Sequence, residues 1–257
     1  MDRDAEWVEF SHDAMAGLGP VRVRQNLDAM DGIANGDDAT ARWVWPGARA
    51  TAEWLCDRRA EWIEGKHVVE IGSGTGLLGA RAAPIPPTRT RASSQPRLAW
   101  APRRLTNSTS IHHPNRTGLV AARLGAASVT LTDLPSELPL LRANARANPS
   151  PCPVAVEPCA WGDADAVARV GKKDVVLCSD ALYQNDEATQ LALAETLLGL
   201  CEMRKGRIMF AYNFRENLAA DRRFFDATDT LFGHPTQHEL EEDEDIWLFE
   251  YRPSTRC

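Results

Sequence analysis

The residue types best suited to hold a cofactor lie at positions 68–76, Val-Val-Glu-Ile-Gly-Ser-Gly-Thr-Gly. One acid, Glu70, ends an apolar run, and the glycines Gly72, Gly74 and Gly76 follow at alternate positions. Glycine adopts backbone conformations that other residues avoid, and it lets a ligand lie directly against the main chain. The stretch therefore predicts a strand that leads into a loop able to cradle an adenosyl group.

Two kinds of cofactor compete for this loop. Residues 74–79 match GxGxxG, the pattern of nicotinamide dinucleotide sites, but a single match of this kind is a weak signal. In a dinucleotide site Glu70 would face the pyrophosphate, which is an unfavourable contact between like charges. The position of Glu70 before the glycines therefore favours S-adenosyl-L-methionine (SAM) over a dinucleotide, and no metal is required.

The elements around the loop alternate between strands and helices. Apolar runs predict strands, and helically spaced apolar residues predict helices between them. The predicted strands cover 67–71, 128–132, 154–157, 174–178 and 207–212, and the helices start near 41, 138 and 187. Two further runs, at 234–240 and 246–251, flank an acidic segment and predict an antiparallel hairpin. We expect an α/β fold: a doubly wound, mostly parallel, Rossmann-like sheet of seven strands with an antiparallel C-terminal hairpin.

One segment interrupts this alternation. Between Arg81 and Arg116 the chain has seven arginines, six prolines and no acid. Such a composition is typical of disorder, and its prolines must end any helix that starts in the glycine loop. We interpret residues 80–117 as an insertion, either a disordered loop or translated non-coding sequence. Residues 118–126 then supply the missing body of the helix after the loop, with Gly125 as its stop.

A second acid marks the end of the second central strand. Asp133 occupies the position from which a carboxylate can hydrogen-bond the ribose of the cofactor. Its separation from Gly76 becomes about 20 residues, the expected spacing, only when the insertion is removed. This agreement supports the insertion without choosing between the two cofactors.

Composition and charge limit the function further. The net charge of -7 argues against a protein that coats nucleic acid. The sequence has no apolar run long enough to span a bilayer, and its charged N-terminus is unlike a secretory signal. Six cysteines lie without a CxxC pattern, which indicates reduced thiols and no metal site. We expect a cytoplasmic or nuclear monomer that binds neither nucleic acid nor a membrane.

An ordered set of motifs accompanies the glycine loop. They are Trp-Val-Trp-Pro-Gly-Ala at 43–48, Thr-Asp-Leu-Pro at 132–135, Leu-Pro-Leu-Leu-Arg-Ala-Asn at 138–144, Trp-Gly at 161–162 and Ser-Asp-Ala-Leu-Tyr at 179–183. Together they resemble the class I, seven-β-strand SAM-dependent methyltransferases, in particular the eukaryotic group that includes the non-histone protein-lysine methyltransferases. The resemblance covers about residues 41–252 apart from the insertion. Residues 1–40 form an N-terminal extension with one edge strand over 21–24.

The resemblance implies roles for individual residues. The implied cofactor-binding residues are Trp45, Glu70, Gly72, Ser73, Gly74, Thr75, Gly76, Asp133, Trp161 and Ser179. Glu70 would hold the methionine end of SAM, Asp133 the ribose hydroxyls, and Trp161 would pack near the adenine. Trp45 would line the same site, although both tryptophans could instead be core aromatics.

The implied catalytic residues are Asp180 and Tyr183, which match the Asp-x-x-Tyr motif of that group. If the acceptor is a lysine, Asp180 would orient the ammonium and the ring of Tyr183 would pack on its methylenes. Asp180 could instead be only the N-cap of the following helix, and Tyr183 a packed residue at the start of that helix.

Three functions remain open from the sequence. The first is a SAM-dependent methyltransferase with a protein substrate, lysine favoured over arginine or a small, nicotinamide-like acceptor. The second is a SAM-binding protein without turnover, or a product made defective by the insertion. The third is a nicotinamide-dependent oxidoreductase.

Overall fold

The computed structural model describes residues 7–25, 44–75, 117–182, 186–214, 218–240 and 245–253. Its strands are β1 (Trp7–Phe10), β2 (Val21–Arg24), β3 (His67–Ile71), β4 (Ser128–Asp133), β5 (Val154–Pro158), β6 (Val175–Ser179), β7 (Arg207–Asn213), β8 (Thr236–Glu239) and β9 (Ile246–Tyr251). Its helices are α1 (Pro46–Asp57), α2 (Arg59–Trp62), α3 (Thr117–Arg123), α4 (Leu138–Ala147), α5 (Ala164–Val170), α6 (Glu187–Leu200) and α7 (Leu218–Phe232). A turn of 3-10 helix at Asp13–Met15 joins β1 to β2.

The central sheet has seven strands in the order β5-β4-β3-β6-β7-β9-β8. The five strands from β5 to β7 are parallel, whereas β9 runs antiparallel to both β7 and β8. The predicted fold class and its C-terminal hairpin are confirmed. The strand order reverses between β3 and β6, and the carboxyl ends of the strands at such a reversal are the usual ligand site of an open α/β sheet.

Both faces of the sheet are covered, which explains the continuous apolar runs in its central strands. Val68 points to a core formed with α1, α3 and α4, whereas its neighbour Val69 points to a second core formed with α5, α6 and α7. Val175 and Val176 of β6 divide between the two cores in the same way. No helix among the described residues is long and apolar enough to cross a membrane.

The N-terminal strand belongs to a small sheet of its own. β2 is present and pairs with β1 in a separate antiparallel sheet of two strands. Val21 and Val23 are fully buried against the first core, together with Val8 and Phe10 of β1. Apolar and polar residues alternate along β2, so its buried residues share one face, and the hairpin uses that face to dock on the domain.

The helix expected after the Arg/Pro-rich segment is present as α3. Gly125, with φ +94°, follows its end and acts as the predicted stop. Gly118 in its first turn lies so close to β3 and β4 that a Cβ there would stand 2.5 Å from both Glu70 Oε2 and Leu131 Cδ2. The remaining part of the predicted helix, 77–79, lies outside the described residues, so the joining of the two pieces stays a prediction.

Candidate cofactor and acceptor site

The glycine loop begins where β3 ends, at the reversal of strand order. Gly72 and Gly74 have φ of +63° and +55°, a backbone region that favours glycine. Between them, the N–H of Ser73 donates to Thr132 O at 2.8 Å, and its hydroxyl donates to Glu70 O at 3.1 Å. The Thr132 N–H in turn donates to the Ser73 hydroxyl at 3.1 Å. These bonds fix the first half of the loop to β4.

Glu70 is fully buried beside this loop. Among the described residues, neither of its carboxylate oxygens makes a hydrogen bond. Burial raises the pKa of Glu70 well above its usual range, and the charge of Asp133 adds to the rise, while the nearby Ser73 hydroxyl and Gly118 N–H lower it. A buried acid without a bonded donor is costly, and a cationic ligand would relieve that cost.

Asp133 stands next to the loop at the end of β4 and is also buried. Its Oδ2 accepts the Gly74 N–H at 2.5 Å, and its Oδ1 accepts the Leu134 N–H at 2.7 Å. A carboxylate offers about four acceptor positions, so it can bond more than one donor. Asp133 therefore positions the loop in addition to the cofactor contact expected of it.

Ser179 and Asp180 reach the same edge from β6. Because Ile71 pairs with Thr132 on one side and with Cys178 on the other, Gly72, Asp133 and Ser179 follow side by side. Ser179 is buried, and its hydroxyl has no hydrogen-bond partner among the described residues. The structure thus brings the loop and the two following strand ends together.

Asp180 has an uncommon backbone and an unexpected neighbour. Its φ of +53° is rare outside glycine, and such outliers cluster at functional sites. Its buried carboxylate lies against the first turn of α1, where a Cβ on Gly47 would stand 2.5 Å from Oδ2. A negative charge at a helix N-terminus is stabilising. Asp180 is not the N-cap of α6, because Asp186 has that role and accepts the Thr189 N–H at 2.7 Å.

The remaining predicted residues are placed less centrally or not described. Trp45 is the half-buried N-cap residue of α1, directly before Pro46. Trp161 is half-buried against the second core, in the turn between β5 and α5. Gly76 and Tyr183 lie outside the described residues.

Sequence reasoning gave no role to one residue of this site. Asn144 of α4 donates from Nδ2 to Thr75 O at 2.6 Å, and both residues are buried. Asn144 was part of the motif at 138–144, but its partner could not be read from the sequence. A polar residue on the apolar face of an amphipathic helix was the available signal.

The sequence model of a family described as lysine methyltransferase matches residues 26–92 and 116–230, more than half of the chain. The chain belongs to the lysine methyltransferase family. Its cofactor is SAM, so the nicotinamide alternative is excluded. Residues 93–115 lie between the two matched segments and are not matched. They fall within the predicted insertion, whose limits of 80 and 117 stay a prediction.

Solved structures share the fold of this lysine methyltransferase family member. The Thermus thermophilus 16S rRNA N2 G1207 methyltransferase, in complex with AdoMet and guanosine, aligns with a TM-score of 0.56 and 12% identity over 97% of this chain and 51% of its own. An O-methyltransferase family protein from Burkholderia thailandensis aligns with a TM-score of 0.51 and 14% identity, over 80% of this chain and 57% of its own. At these identities the likeness concerns the fold alone, and the family member spans little more than half of either relative.

The residues of the site fit SAM. The family member offers a buried acid at Glu70 that makes no hydrogen bond within the described part of the chain, next to glycines whose backbone is already in the left-handed region. Asp133 adds a buried carboxylate at the neighbouring strand end, bonded to the loop. These features suit a ligand that has a cationic end and a ribose.

Proposed function

We propose that this SAM-dependent methyltransferase transfers its methyl group to a protein side chain, with lysine favoured. The observation that carries the proposal is the match of most of the chain to a family described by lysine methylation. The net charge of -7 favours a basic protein surface as partner over a nucleic acid. We extend the proposal to a monomeric enzyme of the cytoplasm or nucleus.

The electrostatics of the site support a cationic acceptor. Glu70, Asp133 and Asp180 place three buried carboxyl groups at one edge of the sheet. Carboxyl groups that ionise at this edge attract cations and disfavour anionic acceptors. Bound SAM supplies a methyl group on a sulfonium, so the leaving group is already activated.

The contribution of the chain is to position and deprotonate the acceptor. A lysine amine has a pKa of about 10.4 in water and must lose a proton before it can attack. A dry channel lowers that pKa because burial disfavours the charged form. Asp180, at the end of β6, is the residue that we assign to orient the arriving ammonium before the proton leaves to water. Tyr183, three positions later, is assigned to pack against the lysine methylenes.

A methyl-transfer assay with paired variants tests this assignment. Purified protein is incubated with tritiated SAM and a cell lysate, and the labelled proteins are hydrolysed to identify the modified amino acid. We expect methyl-lysine with the wild type and about a hundredfold slower transfer with Asp180→Asn, the scale of a small misplacement of reacting groups. Binding of the product S-adenosylhomocysteine (SAH), measured by calorimetry, should change little.

The matched control is Asp186→Asn. Asp186 is an exposed acid near Asp180 in sequence that caps α6, and asparagine caps as well as aspartate. This variant should transfer methyl groups at the wild-type rate. Label in small molecules alone would refute a protein acceptor, and SAH binding without any transfer would mean a non-catalytic protein. Equal loss of transfer and SAH binding in Asp180→Asn would make Asp180 a structural residue.

A further inference from the structure

Two buried amides bind the N-terminal hairpin, one in α4 and the other at its C-cap. Asn148 Oδ1 accepts the Arg22 N–H at 2.7 Å, and Asn144 Oδ1 accepts the Arg24 N–H at 2.8 Å. In the opposite direction, Asn148 Nδ2 donates to Arg22 O, and Asn144 Nδ2 donates to Arg24 O at 3.1 Å. The two side chains therefore pair with β2 much as the backbone of a further strand would, one helical turn apart.

The two amides differ in one contact. Asn144 Nδ2 also donates to Thr75 O in the glycine loop at 2.6 Å. Asn148 Nδ2 donates instead to Asn144 O at 2.7 Å, within the helix. A primary amide has two N–H donors, so Asn144 can donate one to the hairpin and the other to the loop. Asn144 is thus a single rigid group that contacts both segments.

The contact from Asn144 reaches Thr75, the last described residue of the loop. Ser73 and Asp133 hold the loop as far as Gly74, through the hydrogen bonds described above. Thr75 is fully buried, and its carbonyl faces the Asn144 amide. A buried carbonyl that loses a donor is destabilised, so removal of the amide should make the observed shape of the loop less stable.

We propose that the N-terminal hairpin is a working part of the cofactor site, and that Asn144 is the positioning residue that couples hairpin docking to the shape of the glycine loop. Coupling of this kind is reciprocal: a docked hairpin favours the cofactor, and a bound cofactor holds the hairpin in place. The inference rests on SAM as the cofactor and is independent of a lysine acceptor.

Hydrogen exchange on the wild-type protein tests the coupling without any mutation. The reporters are the N–H groups of Arg22 and Arg24, which donate to the two amides. Saturation with SAH should slow exchange in peptides that cover residues 21–25. Unchanged exchange in this hairpin, with SAH bound, would overturn the proposal.

A pair of variants then assigns the coupling to Asn144. Asn144→Ala removes the contacts to both the hairpin and the loop, whereas Asn148→Ala removes its hairpin contacts and its bond to Asn144 O but no contact to the loop. We expect SAH affinity to fall about tenfold in Asn144→Ala, a common size for coupling between two sites. Asn148→Ala should lower the melting temperature and leave SAH affinity within about twofold of the wild type, well inside that coupling range.

Asn144→Asp provides a second variant if the alanine protein does not fold. Aspartate keeps an acceptor for the Arg24 N–H but offers no donor to Thr75 O when ionised. SAH affinity should fall as in Asn144→Ala, and the SAH-induced slowing of exchange at 21–25 should disappear. Equal loss of affinity in the Asn144 and Asn148 variants would overturn the special role of Asn144. Because SAH binding is the readout, none of these results depends on whether the protein methylates lysine.

Discussion

The contact between Gly47 and Asp180 makes Gly47→Ala an informative substitution. A Cβ at position 47 would stand 2.5 Å from Asp180 Oδ2, 2.9 Å from Cγ and 3.0 Å from Oδ1. All three distances are shorter than a van der Waals contact. Asp180 is 3% exposed and has φ +53°, so neither its side chain nor its backbone has an easy alternative position. The added methyl group must displace either the carboxylate or the first turn of α1.

The expected magnitude follows from two opposing contributions. Alanine in place of glycine favours a helix by up to about 1 kcal/mol. Overpacking a buried site costs about 1–3 kcal/mol. We therefore expect Gly47→Ala to lower the free energy of unfolding by about 1 kcal/mol, where an ordinary glycine-to-alanine change in a helix would raise it. Methyl transfer should fall as well, because the displaced carboxylate no longer meets the acceptor.

Urea unfolding followed by circular dichroism measures the change in the free energy of unfolding. A double-mutant cycle with Asp180→Gly tests the cause, because loss of the carboxylate removes the clash. Residues in contact show coupling of about 0.5–3 kcal/mol, so alanine at 47 should be harmless or stabilising in the Asp180→Gly background. Gly47→Ala that stabilises the wild-type protein, or a cycle with no coupling, would refute the proposed packing of Asp180 against α1.

Two further predictions concern the carboxyl groups beside the glycine loop. Burial raises the pKa of Glu70 above 4.5, so the folded protein keeps this proton at pH values where the unfolded chain has lost it. As the pH rises above 4.5, the ligand-free protein should therefore lose stability relative to Glu70→Gln, at about 1.4 kcal/mol per pH unit. The loss should stop once the carboxyl ionises in the folded state. Urea unfolding of both proteins at several pH values measures this difference. If the free energies of unfolding of the two proteins change with pH in the same way, the pKa of Glu70 is not raised in the folded state. Asp133→Asn must turn an amide N–H toward either the Gly74 or the Leu134 N–H, which should cost about 1–3 kcal/mol of stability and weaken SAH binding in calorimetry. Wild-type affinity and stability would contradict the role given to Asp133.

Sequence patterns were sufficient to predict those elements whose structure depends on their own residues. β6 could be predicted because a central parallel strand is buried on both faces and so consists of a continuous apolar run. The stop of α3 at Gly125 followed from the left-handed conformation that helix ends adopt. By contrast, α5 is short and contributes only Ala166 and Val170 as buried residues, which is too weak a pattern to predict.

Contacts between distant segments could not be predicted. The contact of Asn144 with Arg24 joins positions that are 120 residues apart. Nothing in the local sequence of either segment specifies the other. The direction of the Asp180 carboxylate depends likewise on how α1 packs over the sheet. The sequence could place Asp180 at the strand end, but its neighbour Gly47 became visible only in the folded chain.

The position of β9 in the sheet has a consequence for synthesis on the ribosome. β9 lies between β7 and β8 and pairs with both of them, although it is the last of the three in the chain. Until residue 251 has left the ribosome, the backbone groups on that edge of β7 have no strand to pair with. Phe210 and Tyr212 belong to this unpaired edge of β7, which is therefore open to pairing with other nascent chains. Chaperone binding should matter most during the interval in which β8 has emerged and β9 has not.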